Sequence, residues 1–277
     1  MNNLITEQVE KYIKDKNVTV ENATREVIQE ITLFALSKTD FFEKAAFCGG
    51  TSLRILYGLD RASEDLDFSL LDRDTNFELS PYIEEIVNTF KSFNIVVDGK
   101  VKKEDGSIKS AFIKDNTIIR TISLSNIHID PRVVIKVKLE VDTNPPQGAE
   151  SEYKYVLFPF PHRIRSLTLP SLFSGKLHAI IARNWEKGRD YYDYVFYLSK
   201  GVKPNLVLLE NALKQTGELK ESESLDINKT KELLLSRFTN LDMNVARNDC
   251  INFINERNKL DIWSKDFFIN ITNDYFK

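Results

Sequence analysis

The chain has 277 residues, of which 42% are hydrophobic and 29% are charged, and its formal net charge is −3. This composition argues against disorder and predicts a chain that buries a core in one large domain or two smaller ones. No stretch approaches the roughly 20 apolar residues of a membrane span, and the N-terminal residues are charged where a signal peptide is apolar, so we expect a soluble, cytoplasmic protein. The two cysteines and three histidines show no zinc-ligand spacing.

The N-terminal half alternates helices and strands. Apolar residues at helical spacing predict a helix over residues 22–37. The apolar run at 45–48 predicts a buried strand, followed by a turn at two glycines and a two-turn helix that ends at Gly58. Further strands are predicted at 64–72, 94–101, 110–114, 117–124 and 132–142, with a helix at 80–93 before the second of them.

A stretch rich in turn residues, TNPPQGAES at 143–151, predicts a domain boundary, because two prolines and a glycine cannot continue a strand. We therefore expect an α+β domain with a mixed sheet at 1–150 and a mainly helical domain at 151–277. The second domain begins with a short β-like stretch at 153–169. Its helices are predicted at 170–184, 189–199, 205–215, 228–239 and 243–276, the last of them broken.

Two aspartates on one predicted strand indicate phosphoryl-transfer chemistry. Asp65 and Asp67 are two residues apart, so their carboxylates lie on one face of the strand, about 7 Å apart at the backbone. Carboxylates are preferred ligands of Mg²⁺ (or Mn²⁺), and a pair of such ions can stabilise the attacking and leaving oxygens. A third carboxylate from a neighbouring strand completes such a site, and Glu140 and Asp142 are both candidates.

The glycine turn before the first of these strands has the features of a phosphate site. Gly49 and Gly50 let the backbone approach a polyphosphate, and Thr51 adds a hydroxyl at the start of a helix. Arg54 and Arg61 are candidates for neutralising phosphate oxygens, and the remaining candidate nucleotide-binding residue of this segment is Ser63.

The order strand, Gly-Gly-Thr, helix, Asp-x-Asp strand resembles the pattern hG[GS]…[DE]h[DE]h of the DNA polymerase β-like nucleotidyltransferases. Cys48, Gly49 and Gly50 match its first part, and residues 65–68 match its second. Threonine follows the glycines where many members have serine.

A narrower resemblance covers residues 47–198. The segments GGTSLRILYGLDRASEDLDFSL, KLEVDTNPP and SGKLHAIIARNWEKGRDYYDYVFYL are similar to the AbiEii/MenT-type nucleotidyltransferases, which are toxins of type IV toxin–antitoxin and abortive-infection systems. The resemblance implies a polymerase β-like fold, a helical C-terminal domain, a nucleoside triphosphate donor and Mg²⁺. It also implies the 3′ end of tRNA as acceptor and an antitoxin partner, which we expect to be a winged-helix protein.

The family's K-L-x-A lysine falls on Lys176, and its R-D-x-x-D falls on Arg189, Asp190 and Asp193. Lys176 and Arg183 are two turns apart on one helix face, so two cations and two anions can meet between helices. One interpretation is that Lys176 binds the triphosphate while an aspartate orients it or assists the acceptor. The other is an ion-pair network that stabilises the C-terminal domain. The two are compatible.

Three functions remain open at this point. The first is transfer of a nucleoside monophosphate to RNA, which the seven basic residues against one acidic residue between 153 and 189 favour. The second is nucleotidylation of a protein or of a small molecule such as an antibiotic. The third is a non-catalytic nucleotide-binding module, which the complete set of carboxylates argues against.

Overall fold

The computed structural model describes residues 2–102, 107–115, 118 and 133–277. These residues form two compact units, one of Met1–Pro145 and Glu152–Ser166 and the other of Pro146–Ser151 and Leu167–Lys277. The first unit is α+β and the second mainly helical, which confirms the predicted fold class. The predicted boundary at residue 150 is displaced: Glu152–Ser166, which the sequence assigned to the second domain, supplies strands to the sheet of the first unit.

The described elements of the first unit agree with most of the sequence-based predictions. Its helices are α1 (Asn2–Lys16), α2 (Val20–Ser37), α3 (Phe41–Lys44), α4 (Gly49–Tyr57) and α5 (Ser80–Ser92). The strands of its sheet are β1 (Ala45–Cys48), β2 (Leu66–Leu70), β3 (Val97–Lys102), β4 (Ile108–Asp115), β5 (Ile135–Asp142), β6 (Ser151–Val156) and β7 (His162–Leu167). The strand predicted at 117–124 lies outside the described residues, apart from Ile118.

The described strands form one mixed sheet in the order β3-β4-β5-β2-β1-β7-β6. Strand β2 is antiparallel to β1 and parallel to β5, while β1 is parallel to β7. In the β2–β5 register, Leu66 lies opposite Leu139 and Phe68 opposite Val141. Because side chains alternate along a strand, these residues share one face.

That apolar face forms the core with α2 and α5. Twelve of the 18 residues of α2 are buried, and α5 contributes Ile83, Ile86 and Phe90. The ring of Phe68 packs edge-on against that of Phe41, with centroids 4.8 Å apart. The opposite face carries Asp67, Glu140 and Asp142, and we call it the polar face of the sheet.

The second unit contains α6 (Leu169–Ala182), α7 (Gly188–Ser199), α8 (Leu206–Thr216), α9 (Ile227–Thr239), α10 (Met243–Cys250), a 3₁₀ turn at Arg257–Leu260 and α11 (Lys265–Tyr275). The region 243–276 is therefore broken, as predicted. Helices α7 and α10 approach so closely that a Cβ on Gly188 would lie 1.7 Å from the Ala246 carbonyl oxygen. Tyr191, Tyr194 and Tyr197 are buried in the interior of this unit. Within the described ranges, no helix combines the length and apolar character needed to cross a bilayer.

Candidate functional site

The glycine turn and the acidic strand are in direct contact. Strand β1 ends at Cys48, and Gly49 begins α4 with φ +74°, a conformation that L side chains rarely adopt. A Cβ on Gly49 would also lie 2.2 Å from Oδ2 of Asp67. Glycine is therefore required at this position both by the backbone and by the carboxylate beside it, and the structure places the Asp67 side chain against the start of a helix.

The second glycine lies against a buried cation. A Cβ on Gly50 would be 2.3 Å from Nη2 of Arg61 and 3.1 Å from Oγ of Ser63. Arg61 is 3% exposed, and its Nη1 donates a hydrogen bond of 2.8 Å to the Ala62 carbonyl. The predicted phosphate-binding residues Gly50, Arg61 and Ser63 thus lie together at the first turn of α4.

A hydrogen-bond network fixes the segment that leads into β2. The buried Thr51 hydroxyl donates to the Asp65 carbonyl and lies 2.9 Å from Ser63 Oγ. From α2, Gln29 donates to the carbonyls of Ser63 and Glu64 at 3.1 and 3.0 Å. Thr51 therefore joins the helix to the acidic strand, and Gln29 is a positioning residue that the sequence did not reveal.

Arg54 is directed into the protein interior. Its Nε donates to Glu26 Oε2 at 2.7 Å, and its Nη1 donates to the carbonyls of Asp60 and Arg61 at 3.1 and 3.0 Å. The residue is 6% exposed. This geometry gives Arg54 the role of holding the loop before β2, and the phosphate contact predicted for it has no support in this arrangement.

The strand register brings the acidic residues of the polar face together. Asp67 lies opposite Glu140 in the parallel β2–β5 pair, and Asp142 lies opposite Ser69 two residues further along. All three acidic side chains are partly buried, whereas the alternating residues Leu66 and Phe68 are in the core. The register therefore puts Glu140, one of the two candidates for the third carboxylate, beside Asp67.

The neighbours of these carboxylates differ. Glu140 pairs with Lys138 on its own strand at 2.5 Å. Asp142 accepts a hydrogen bond of 2.9 Å from the Asn144 amide, and burial nevertheless raises its pKa above the ordinary value. A nearby cation would stabilise the charged form of a partly buried carboxylate of this kind.

The carboxylates of the polar face suit Mg²⁺ in their chemistry and in their strand register. In the side-chain arrangement of the described residues, however, no three His, Cys, Asp or Glu side chains are gathered into a cluster that could hold a metal ion. Asp65, immediately before β2, and Asp67 with Glu140 or Asp142 are the residues that would bind the ion after side-chain rearrangement.

A second charged cluster lies in the helical unit, between α6 and α7. Lys176 Nζ is 2.6 Å from Asp190 Oδ1 and 2.8 Å from Asp193 Oδ2, and Arg183 also pairs with Asp190. Burial raises the pKa of Asp190, but the charges of Lys176, Arg183 and Lys187 outweigh it and hold that pKa below its usual value. The predicted interhelical cluster therefore forms, with both aspartates buried.

Two further cations flank this cluster. Arg189 pairs with Asp249 at 3.5 Å and stacks on the Phe253 ring at 4.0 Å. The pKa of Lys187 is lowered, first by burial and then by the neighbouring cations. Lys187 is not among the site residues predicted from the sequence, although its position one residue before the GRD segment is a usable signal.

Comparison with known proteins identifies the family of this chain. The sequence profile of the family described as "Nucleotidyl transferase AbiEii toxin, Type IV TA system" matches residues 31–268. The chain belongs to the AbiEii nucleotidyltransferase toxin family. This confirms the family that the sequence motifs indicated, and it confirms nucleotidyltransferase and toxin–antitoxin as the broad class of the protein.

Two solved structures from Helicobacter pylori share the fold of this chain. JHP933 from Helicobacter pylori is 17% identical, with a TM-score of 0.54 over 94% of this chain and 91% of its own. A candidate nucleotidyltransferase from H. pylori is 16% identical, with a TM-score of 0.53 over 94% of both chains. MenT4, a nucleotidyltransferase toxin from Mycobacterium tuberculosis, is 16% identical, with a TM-score of 0.47 over 98% of this chain and 99% of its own. No curated protein matches the chain.

Proposed function

We propose that this AbiEii family protein transfers a nucleoside monophosphate from a nucleoside triphosphate to the 3′ end of tRNA, with Mg²⁺ or Mn²⁺ as cofactor. The oxygen of the acceptor hydroxyl attacks the α-phosphorus. The bond between that phosphorus and the oxygen that bridges the α- and β-phosphates breaks, and pyrophosphate leaves. The acceptor proton passes to a carboxylate of the polar face. As a toxin of a type IV system, the protein would act in the cytoplasm and be opposed by an antitoxin.

The contact between Gly49 and Asp67 is the observation that carries this proposal. It places a carboxylate beside the amide groups at the start of α4, and a helix N-terminus with close backbone access favours phosphate. The bound metal would neutralise phosphate charge and be held by Asp65, Asp67 and either Glu140 or Asp142. The amides of Gly50 and Thr51 would orient the phosphates, and Arg61 would add positive charge.

We also propose that Lys176 binds phosphate of the donor. Its ammonium lies between two buried carboxylates, which fix its position. Arg183 is a second cation of this cluster, Arg189 flanks it, and Asp190 and Asp193 hold the lysine in place. In this proposal the ion pairs position a lysine that binds phosphate.

A labelling experiment tests the donor and the acceptor together. The purified protein is incubated with each of the four α-³²P-labelled triphosphates, Mg²⁺, total RNA and cell lysate, and the products are treated with RNase or with protease. We expect label from at least one triphosphate in an RNase-sensitive band of tRNA size. Label that survives RNase and is lost with protease would indicate a protein acceptor instead. Binding of a triphosphate without metal and without transfer would indicate a non-catalytic module.

A further inference from the structure

Two arginines of the neighbouring strand lie against the ring of an exposed tyrosine on the sheet. The guanidinium carbon of Arg163 lies 4.1 Å from the centroid of the Tyr153 ring, and that of Arg165 lies 4.9 Å from it. Tyr153 is 41% exposed on β6, and both arginines are on β7. We call these three residues the Arg–Tyr patch.

The strand register puts the Arg–Tyr patch on the polar face of the sheet. Phe47 lies opposite Ser166 in the parallel β1–β7 pair, and Phe47 belongs to the core face. Arg165 precedes Ser166, so it projects to the other side. Cys48, the residue after Phe47, lies opposite Asp67 on that same side. The arginines therefore share a face with Asp67.

The two arginines retain capacity for an anionic ligand. Arg165 Nη1 makes a long contact of 3.5 Å with the Glu43 carbonyl, and its Nε is buried without a hydrogen-bond partner among the described residues. In the ranges that the structure describes, neither guanidinium forms an ion pair with a carboxylate. By contrast, Lys154 on β6 is paired with Glu152. Exposed aromatic rings beside unpaired arginines are the combination that binds single-stranded nucleic acid by stacking and phosphate contacts.

From this geometry we infer that the Arg–Tyr patch binds the single-stranded end of a nucleic-acid acceptor and directs it along the polar face toward Asp67. Strand β7 is two strands from β2, which corresponds to roughly 10 Å across the sheet. A short single strand spans that distance. The inference rests on the proposed function, because it names the surface that would hold the acceptor of the same reaction.

The test is binding of a fluorescein-labelled 12-nucleotide single-stranded RNA, followed by anisotropy at several salt concentrations. The variant Arg163→Glu should weaken binding about tenfold and reduce the slope of log K against log salt by at least about 0.7, the value for one phosphate contact. Tyr153→Ala should also weaken binding about tenfold, whereas Tyr153→Phe, which keeps the ring, should bind like the wild type.

A charge-matched control is Lys91→Glu. Lys91 is exposed on α5, which packs against the apolar face of the sheet, so this variant should bind RNA like the wild type. Binding of the unlabelled triphosphates is measured in parallel by calorimetry and should be unchanged by Arg163→Glu.

The inference would be overturned if Arg163→Glu and Lys91→Glu lost RNA binding equally. It would also be overturned if Arg163→Glu lost triphosphate binding and kept RNA binding. Wild-type protein that shows no salt-dependent RNA binding would also overturn it. The outcome is separate from that of the proposed function, because Asp67→Asn should bind this RNA normally while losing transfer.

Discussion

Gly49 and Asp67 meet where β1 turns into α4, and the space between them is too small for a Cβ. This contact joins the two halves of the motif, since the glycine provides the turn and the aspartate provides the carboxylate. Two separate constraints require glycine at position 49: the positive φ of the backbone and the side chain of Asp67. A suitable control exists at the C-terminal end of the same helix, because Gly58 has φ +76° and a Cβ added there would meet no atom of the described residues within 4 Å.

Gly49→Ala should therefore lower the free energy of unfolding more than Gly58→Ala does. The positive φ alone costs about 1–2 kcal/mol at either position. The clash with Asp67 should add about 1–3 kcal/mol at Gly49, and displacement of the carboxylate should lower nucleotide transfer more than tenfold. Urea unfolding and the transfer assay measure the two effects. Equal stability and equal activity of the two variants would show that the contact has no consequence.

Arg54→Met tests whether Arg54 is structural. Removal of the guanidinium leaves the buried Glu26 beside the half-buried Lys16 and should lower the free energy of unfolding by about 3 kcal/mol. The double variant Arg54→Met/Glu26→Gln should recover part of this loss, because the buried charge is removed as well. An Arg54→Met protein that keeps its stability in urea but loses triphosphate binding would instead support the phosphate contact predicted from the sequence.

Glu30 should make stability depend on pH. Its pKa is raised to about 8, chiefly by burial and further by the charge of Glu26, against the opposing effects of Tyr12, Lys16 and Arg54. Because the folded-state pKa lies above the ordinary value of 4.5, the stability that this group contributes is fully present below about pH 4.5. It is lost as the pH rises through about 8.

The corresponding experiment compares the wild type with Glu30→Gln by urea unfolding from pH 5 to pH 8. The wild type should lose stability over this interval with a slope of up to about 1 kcal/mol per pH unit, and Glu30→Gln should have a shallower slope. Tyr12 donates a hydrogen bond of 2.7 Å to Glu30, which the amide oxygen of glutamine can also accept. Parallel profiles for the two proteins would mean that Glu30 is ionised throughout.

Lys176→Met separates the two interpretations of the cluster between α6 and α7. The substitution leaves Asp193, which is 0% exposed, without this cation and should cost about 3 kcal/mol of stability. Lys176→Met/Asp193→Asn should recover stability, since it removes the charge that the lysine compensated. If Lys176 binds phosphate, the double variant will be stable and still inactive in transfer. Recovery of both stability and nucleotide transfer would mean that the cluster is a structural network only.

Local chemistry made part of the fold predictable. Helix α4 was expected because glycines define both of its ends, and β5 was expected because apolar and charged residues alternate strictly along it. The polar-face carboxylates were also found from the sequence, since two aspartates at strand spacing project to one side. These features depend on neighbours within a few residues.

Long-range partners made the rest unpredictable. The pairing of β1 with β7 joins residues 119 positions apart, so the sequence alone assigned β7 to the wrong domain. Arg54 was expected at phosphate because it lies beside the motif, and its partner Glu26 is 28 positions away in α2. The sequence alone does not choose between Glu140 and Asp142 as the third carboxylate, because only the β2–β5 register shows that Glu140 lies opposite Asp67.

The most direct test of the account is nucleotide transfer by Asp67→Asn, with Ser69→Ala as the control from the same strand and the same face. Both variants are checked for folding by circular dichroism and assayed with the labelled triphosphate and RNA that the wild type uses. We predict that Asp67→Asn is folded, binds RNA and transfers at least about a hundredfold more slowly, while Ser69→Ala stays within about threefold of the wild type. Wild-type turnover by a folded Asp67→Asn protein would contradict the assignment of this face as the active site.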